Sequence, residues 1–235
     1  MERDIVDIVQ DEIISRIDNT VRVTSIIEST PSDLRFTVCD YKWLKTKGGH
    51  LRSAGDVFYY PDDIDPETGI IHAKNPGTAL ELRQVLTIKP PVFVHGTHRV
   101  TNVEWLRSIN KDVRLGVPLI WLKETIPGMR YPEDHSQLKD ETPTFYFLDE
   151  IDVVDSTNAE QRVQGVKPML ALVAAFYKAI EDGYEITRRS GSFEKTISRF
   201  GNEMKDGMIE NILDANLGGV EIRPTLTITK TVGCC

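Results

Sequence analysis

The last third of the chain leaves few folds open. An apolar strand, Thr144–Ile151 (TFYFLDEI), runs into an amphipathic helix expected from about Asn158 to Asp182. A second strand, Val220–Thr231 (VEIRPTLTITKT), follows it. A long helix set between two strong strands needs a sheet against which to bury its apolar stripe, which is the core of an α+β domain. Val163, Val166, Leu170, Val173, Phe176, Tyr177 and Ile180 recur on one side of that helix, and Ala171, Ala174 and Ala175 permit close approach on another. Pro168 lies inside the pattern. Its missing N–H either kinks the helix or marks a first turn starting at Gly165–Val166.

Upstream, Ile5, Ile8, Val9, Ile13 and Ile17 recur at helical spacing with Asp4, Asp7, Asp11 and Glu12 between them, so an amphipathic helix opens the chain. Val21–Glu28 alternates as a strand does. From Leu34 to about Pro91, short β-type runs (LRFTVCD, YKWLKT, DVFYY, GIIHAK, LRQVLTI) are punctuated by turn clusters. The expected organisation is an α+β core of residues 1–33 and 92–235 with a small β module, 34–91, inserted in it. The core's small mixed or antiparallel sheet is packed by the long helix and the N-terminal helix. Within this core, Val92–Val94 and Leu119–Leu122 read as strands, and Thr101-Asn102-Val103-Glu104 has the form of a capping box for a helix up to about Ile109. Thr125–Pro143 reads as an exposed loop, and Gly183–Gly207 holds at most a short helix near Phe193–Arg199.

Bulk properties narrow the function classes. The chain has 235 residues and a net charge of −8, the wrong sign for gripping nucleic acid through its phosphates. No run approaches the roughly 18–20 apolar residues of a membrane span. The acidic, periodic N-terminus lacks the basic patch and continuous apolar run of a secretory signal, which points to a protein kept in a cytoplasm. The basic clusters Lys42–Lys47 with Arg52, and Arg188–Arg189 with Lys195 and Arg199, read as solvated loop charges. Cys39 fits a buried free thiol in a strand, and Cys234 and Cys235 have no partners at metal-ligand spacing.

Candidate chemistry is sparse. His95-Gly96-Thr97-His98 has an H-x-x-H spacing, but Gly96 and the preceding strand favour a loop pair without a third ligand. Asp62-Asp63-Ile64-Asp65-Pro66-Glu67-Thr68-Gly69 alternates acids like a calcium loop, yet its glycine is misplaced by one and Lys74 stands where a bidentate glutamate belongs, so a turn between strands is expected. Asp149, Glu150, Asp152 and Asp155 cluster at a strand end, where paired carboxylates can hold magnesium; no phosphate-cradling loop accompanies them, and they read as charge fed to the N-terminus of the long helix. Ser190 and Ser192 lack a nucleophile-elbow frame, and Gly218-Gly219 reads as a turn. No catalytic, cofactor-binding or metal residue is assigned.

The order of segments then carries a resemblance. VHGTHRVTN, GVPLIWLKE, TFYFLDEID and ANLGGVEIR, spread over roughly Pro91 to Thr231, resemble a head–tail connector (neck ring) or tail-terminator type protein of tailed bacteriophages, as in crAss-like and related phages of Bacteroidota. The resemblance implies a virion structural protein without a catalytic role. It would form a homo-oligomeric ring of six or twelve copies between portal and tail or at the tail's end, assembled in the host bacterial cytoplasm. The neighbouring portal, connector or tail proteins would be its partners, and DNA would pass through the lumen unbound. It implies no membrane and no cofactor. Two other readings remain: a metal-dependent phosphoryl-transfer or hydrolytic enzyme using Asp149, Glu150 and Asp152 with His95 or His98, and a monomeric adaptor whose β module binds a peptide by strand addition.

Overall fold

The computed structural model of the protein describes residues 5–46, 48–65, 67–97, 116–123, 128–130, 138–151, 158–183, 186–188, 193–200, 203–205, 208–210 and 216–229. It is an α+β fold. The opening apolar periodicity folds as a helical segment, α1, in three parts: an α turn at Ile5–Ile8, a π turn at Val9–Ile13 and a 3-10 turn at Ile14–Arg16. Ile5, Ile8, Val9, Ile13 and Ile17 are all buried, as their spacing requires.

Seven short strands follow: β1 Thr20–Ser29, β2 Asp33–Val38, β3 Leu51–Ser53, β4 Phe58–Tyr59, β5 Pro61–Ile64, β6 Ile70–Lys74 and β7 Val85–Ile88. They pair antiparallel in the order β4-β3-β7-β1-β2-β6-β5. The strands at the two ends of that order, β4 and β5, are separated in the chain only by Tyr60. One bent run, 58–64, therefore serves both edges, and the sheet rolls into a barrel. Side chains alternate in and out along each strand, and Val21, Val23, Phe36, Leu51, Tyr59, Ile71 and Leu86 are buried within it. The strand expected at Val21–Glu28 is present, but it is the middle strand of this barrel and not part of the core sheet. Cys39, just past the end of β2, is exposed, because the alternation stops at Val38.

The second sheet comprises β8 Val92–Gly96, β9 Leu119–Lys123, β12 Phe145–Glu150, β14 Phe193–Phe200 and β17 Leu217–Arg223, in the order β14-β17-β12-β9-β8. β8 and β9 run parallel, and the other pairs are antiparallel. β9 and β12 are apolar on both faces. Ile120, Leu122, Phe145 and Phe147 join the main core, while Leu119, Trp121, Tyr146 and Leu148 form a second cluster with Val117, Phe200 and Leu217 on the opposite face. Strands buried on both sides read as continuous apolar runs, which is why LIWL and FYFL stand out in the sequence.

The long helix, α2, is an α turn at Asn158–Gln161, a π turn at Arg162–Val166 and an α-helix at Lys167–Glu181. Pro168 lies in the first turn of that last part, where its missing N–H is not needed. The buried side is Pro168, Met169, Leu172, Val173, Phe176, Ala179 and Ile180, whereas Leu170 and Tyr177 are only half-buried. The π turn takes up an extra residue. A single 3.6-residue pattern carried through it from Val163 therefore selects Leu170 in place of Met169 and Leu172.

A third sheet orders β10 Gly128–Arg130, β11 Leu138–Glu141, β18 Leu226–Thr229 and β13 Ile186–Arg188 as β10-β11-β18-β13. β11 and β18 extend β12 and β17 in the same register: Phe145 lies opposite Ile222, and Glu141 opposite Leu226. The two sheets thus share one long two-stranded ribbon, interrupted at 142–144 and 224–225, with a proline, Pro143 or Pro224, in each break. The expected single strand at Val220–Thr231 is these two strands, with the end of its range outside the described residues. β10 and β11 stand where an exposed loop is expected at Thr125–Pro143, and β14 where a short helix is expected near Phe193–Arg199. In both cases pairing to neighbours distant in the chain supplies what local pattern lacks. A small hairpin, β15 Glu203–Lys205 with β16 Met208–Glu210, completes the strands. The capping box at Thr101–Glu104 and its helix lie outside the described residues.

Gly218 and Gly219 are not a turn but part of β17, opposite Asp149 and Leu148. A Cβ on Gly219 would collide with the Phe147 carbonyl, and one on Gly165 would lie 2.6 Å from Ile151 Cγ2 and 3.4 Å from the Gly218 carbonyl carbon. Glycine at 165 is what lets α2 sit this close to Ile151, just past the end of β12.

Candidate functional site

The acidic strand end, read from the sequence as charge for the long helix, borders a cleft. Asp149 and Glu150 end β12, and together with residues 44–46 and 48–50, the 60–64 run and Lys89 just after β7 they line a cleft of about 570 Å³ between the barrel and the core sheet. Asp149 is 1% exposed, and its Oδ1 accepts the Glu150 backbone N–H at 2.9 Å. Glu150 is half-buried, and its Oε2 is buried without a hydrogen-bond partner. Thr46 is 5% exposed, and its Oγ1 is likewise buried and unpartnered. Asp62 and Asp63 are exposed on β5 at the rim, beside the exposed Tyr60 ring.

The cleft's own cations are turned to backbone oxygens. Lys89 Nζ donates to the Val117 carbonyl at 2.6 Å, and Lys45 Nζ to the Ile64 carbonyl at 3.4 Å. Burial lowers the His50 pKa below its ordinary value; the Gly48 carbonyl opposes this, and the charges of Lys89 and Arg52 add to it. The His50 ring lies 5.3 Å from Phe58 and 5.5 Å from Tyr60, making an aromatic wall along one side.

The remaining expected candidates are dispersed. Register places His95 opposite Leu122, and Leu122 opposite Phe145. His95 therefore sits, exposed, at the other end of the core sheet from Asp149, about 13 Å away along the strand direction alone. Of the two histidines weighed for a metal enzyme, His95 is therefore not brought to Asp149 and Glu150. His98, Asp152, Asp155, Ser190, Ser192, Cys234 and Cys235 lie outside the described residues. Among the described residues, no group of three or more His, Cys, Asp or Glu side chains is placed to hold a metal ion.

The calcium-like run is a hairpin turn. Asp65 Oδ1 accepts the Glu67 N–H at 2.8 Å, and Thr68 donates to Oδ2 at 2.7 Å, with Gly69 at φ +68° closing into β6. The Thr68 hydroxyl first, then the Glu67 amide, hold the Asp65 carboxyl below its ordinary pKa. The basic clusters are local fixtures: Arg52 Nε donates to Asp56 at 2.8 Å, and the Arg188 guanidinium lies 4.0 Å over the Tyr177 ring.

Sequence reasoning found Asp149 and Glu150 but missed Thr46, His50, Tyr60 and Lys89. The Gly48-Gly49 turn was the one local signal near them, and it says only that the chain reverses. No protein-family model matches the chain, and comparison with curated proteins and with solved structures finds no match. Among the described residues, no helix is long and apolar enough to cross a membrane.

Proposed function

We propose that this chain is a virion structural protein: a ring-forming subunit of a phage head–tail connector or tail end, joining portal to tail and letting DNA pass. The observation that supports it most is where the resembling stretches fall. VHGTHRVTN starts on β8, GVPLIWLKE contains β9, TFYFLDEID contains β12 and ANLGGVEIR contains β17, four neighbouring strands of one sheet. A likeness spread over distant segments is then a likeness of one packed unit. The double-sided burial of that sheet suits a scaffold, and the ribbon end at β10–β11 and the barrel offer two different surfaces, as head-to-tail contacts in a closed ring require. The net charge of −8 disfavours DNA sticking in a lumen.

Light scattering of the purified protein, with negative-stain imaging of the peak, tests this. Rings of about six or twelve copies are the expected outcome. A monomer at every concentration that also binds a divalent ion, with binding lost in Asp149→Ala, would replace this reading with the metal-enzyme one. A tight, salt-sensitive DNA complex would sink the passive lumen.

A further inference from the structure

We propose that the cleft between barrel and core sheet is a binding site for a guanidinium group, an arginine side chain presented by an extended segment of a partner protein. The proposal stands on the cleft alone and not on the ring reading. Two residues that line it, Thr46 and Glu150, each carry a side-chain oxygen, Oγ1 and Oε2, that is buried with no partner in the folded chain. Buried polar atoms are almost always hydrogen-bonded, so an orphan hydroxyl and an orphan carboxylate oxygen on one cleft point to an absent donor. A guanidinium carries five donors in a fixed fork and a charge that a carboxylate complements.

The rest of the cleft has the matching sign and shape. Asp62 and Asp63 add negative charge at the rim, and Lys45 and Lys89 point their ammonium groups at the Ile64 and Val117 carbonyls. An anion would meet the carboxylates of Asp62, Asp63 and Glu150 there. Tyr60, 58% exposed, stacks on Phe58 at 6.2 Å and presents a ring beside the acids, a surface on which a guanidinium plane can lie. The volume of about 570 Å³ exceeds what one side chain fills and leaves room for flanking residues of a segment.

Amide spectra of the full chain, titrated with N-acetyl-arginine-N-methylamide, test the proposal. Saturable shifts at Thr46, His50 and Glu150 are expected. Glu150→Gln should weaken binding by about tenfold or more, since a charge-assisted bond is lost, and Thr46→Val by a smaller factor. Both free variants should unfold at the parent temperature or above it, because Thr46→Val removes the orphan hydroxyl and Glu150→Gln removes the buried charge; a purely structural role predicts the reverse. A blocked Gly-Arg-Gly peptide binding more tightly than free arginine assigns the ligand to a chain segment, whereas tighter binding of free arginine overturns the partner segment in favour of a small molecule. No saturable shift, equal binding of blocked norleucine, or unchanged binding in Glu150→Gln overturns the site. None of these outcomes depends on whether rings form.

Discussion

Lys42 engages three oxygens at once. Its Nζ donates to the Asp18 carbonyl at 2.7 Å, to Asp18 Oδ2 at 2.9 Å and to the Thr20 carbonyl at 2.9 Å, tying the loop after β2 to the junction of α1 and β1. Burial pushes the Asp18 carboxyl upward, but hydrogen bonds from Lys42 and Thr20 and the lysine's charge outweigh it and hold its pKa at about 2. A depressed carboxyl pKa adds stability above the unfolded value of 3.8 and loses it as the pH falls toward about 2. Because Asp18 is largely exposed, Asp18→Asn should cost only on the order of 1 kcal/mol at neutral pH. Urea unfolding curves of the two proteins should converge as the pH is lowered from about 4 to about 2. Inside the barrel, the Tyr59 ring meets Phe36 edge-on at 6.3 Å, yet its hydroxyl is buried without a partner. Tyr59→Phe keeps the ring and removes the orphan, so stability should rise by about 1 kcal/mol, seen as a higher urea midpoint at unchanged slope.

At the scale of elements, α2 decides how firmly the core sheet is held. Phe176 is fully buried, with its ring centroid 4.9 Å from that of Phe145 and 5.3 Å from that of Phe147. Phe176→Ala should cost about 3–5 kcal/mol and Leu172→Ala about 2–5 kcal/mol. Leu170→Ala, at a half-buried position, should cost only about 1–2 kcal/mol. Equal losses at 170 and 172 in denaturant titrations would mean that the buried side is misassigned. Gly165→Ala should cost about 1–3 kcal/mol by pressing α2 against Ile151. What the sequence made legible follows from this packing. α1, β9 and β12 declare themselves because burial on one helical side, or on both strand faces, writes a periodic or continuous apolar pattern. The π turn before Lys167 breaks that periodicity, so the helix was foreseen and its buried side only partly so. β11 and β14 carry too little apolar alternation, and only pairing with the later strands β18 and β17 makes them strands; β10 then pairs on the free edge of β11. The cleft was half-legible: Asp149 and Glu150 announce a strand end, but Thr46 and Tyr60 join them only once the barrel is docked.

In the whole molecule, the main apolar core is continuous from the barrel to α2, joining Val21, Phe36 and Trp43 with Ile13, Phe147 and Phe176. Trp43 donates to the Lys89 carbonyl at 3.0 Å on the barrel side, and Trp121 to the Gly96 carbonyl at 3.1 Å on the core sheet. A shared core predicts one cooperative transition. Fluorescence of single-tryptophan variants retaining Trp43 or Trp121 should therefore report the same urea midpoint; separate midpoints would show that barrel and core melt independently. The seam of the barrel carries a last consequence. Tyr60 alone links the strands that end the sheet on either side, so the ring of hydrogen-bonded strands is fastened by a covalent hinge. A protease nick or a circular permutation at this residue would turn a clasped cylinder into an open ribbon with two raw borders. Such a molecule should keep its composition and most of its contacts yet gain a strong tendency to join its neighbours edge to edge.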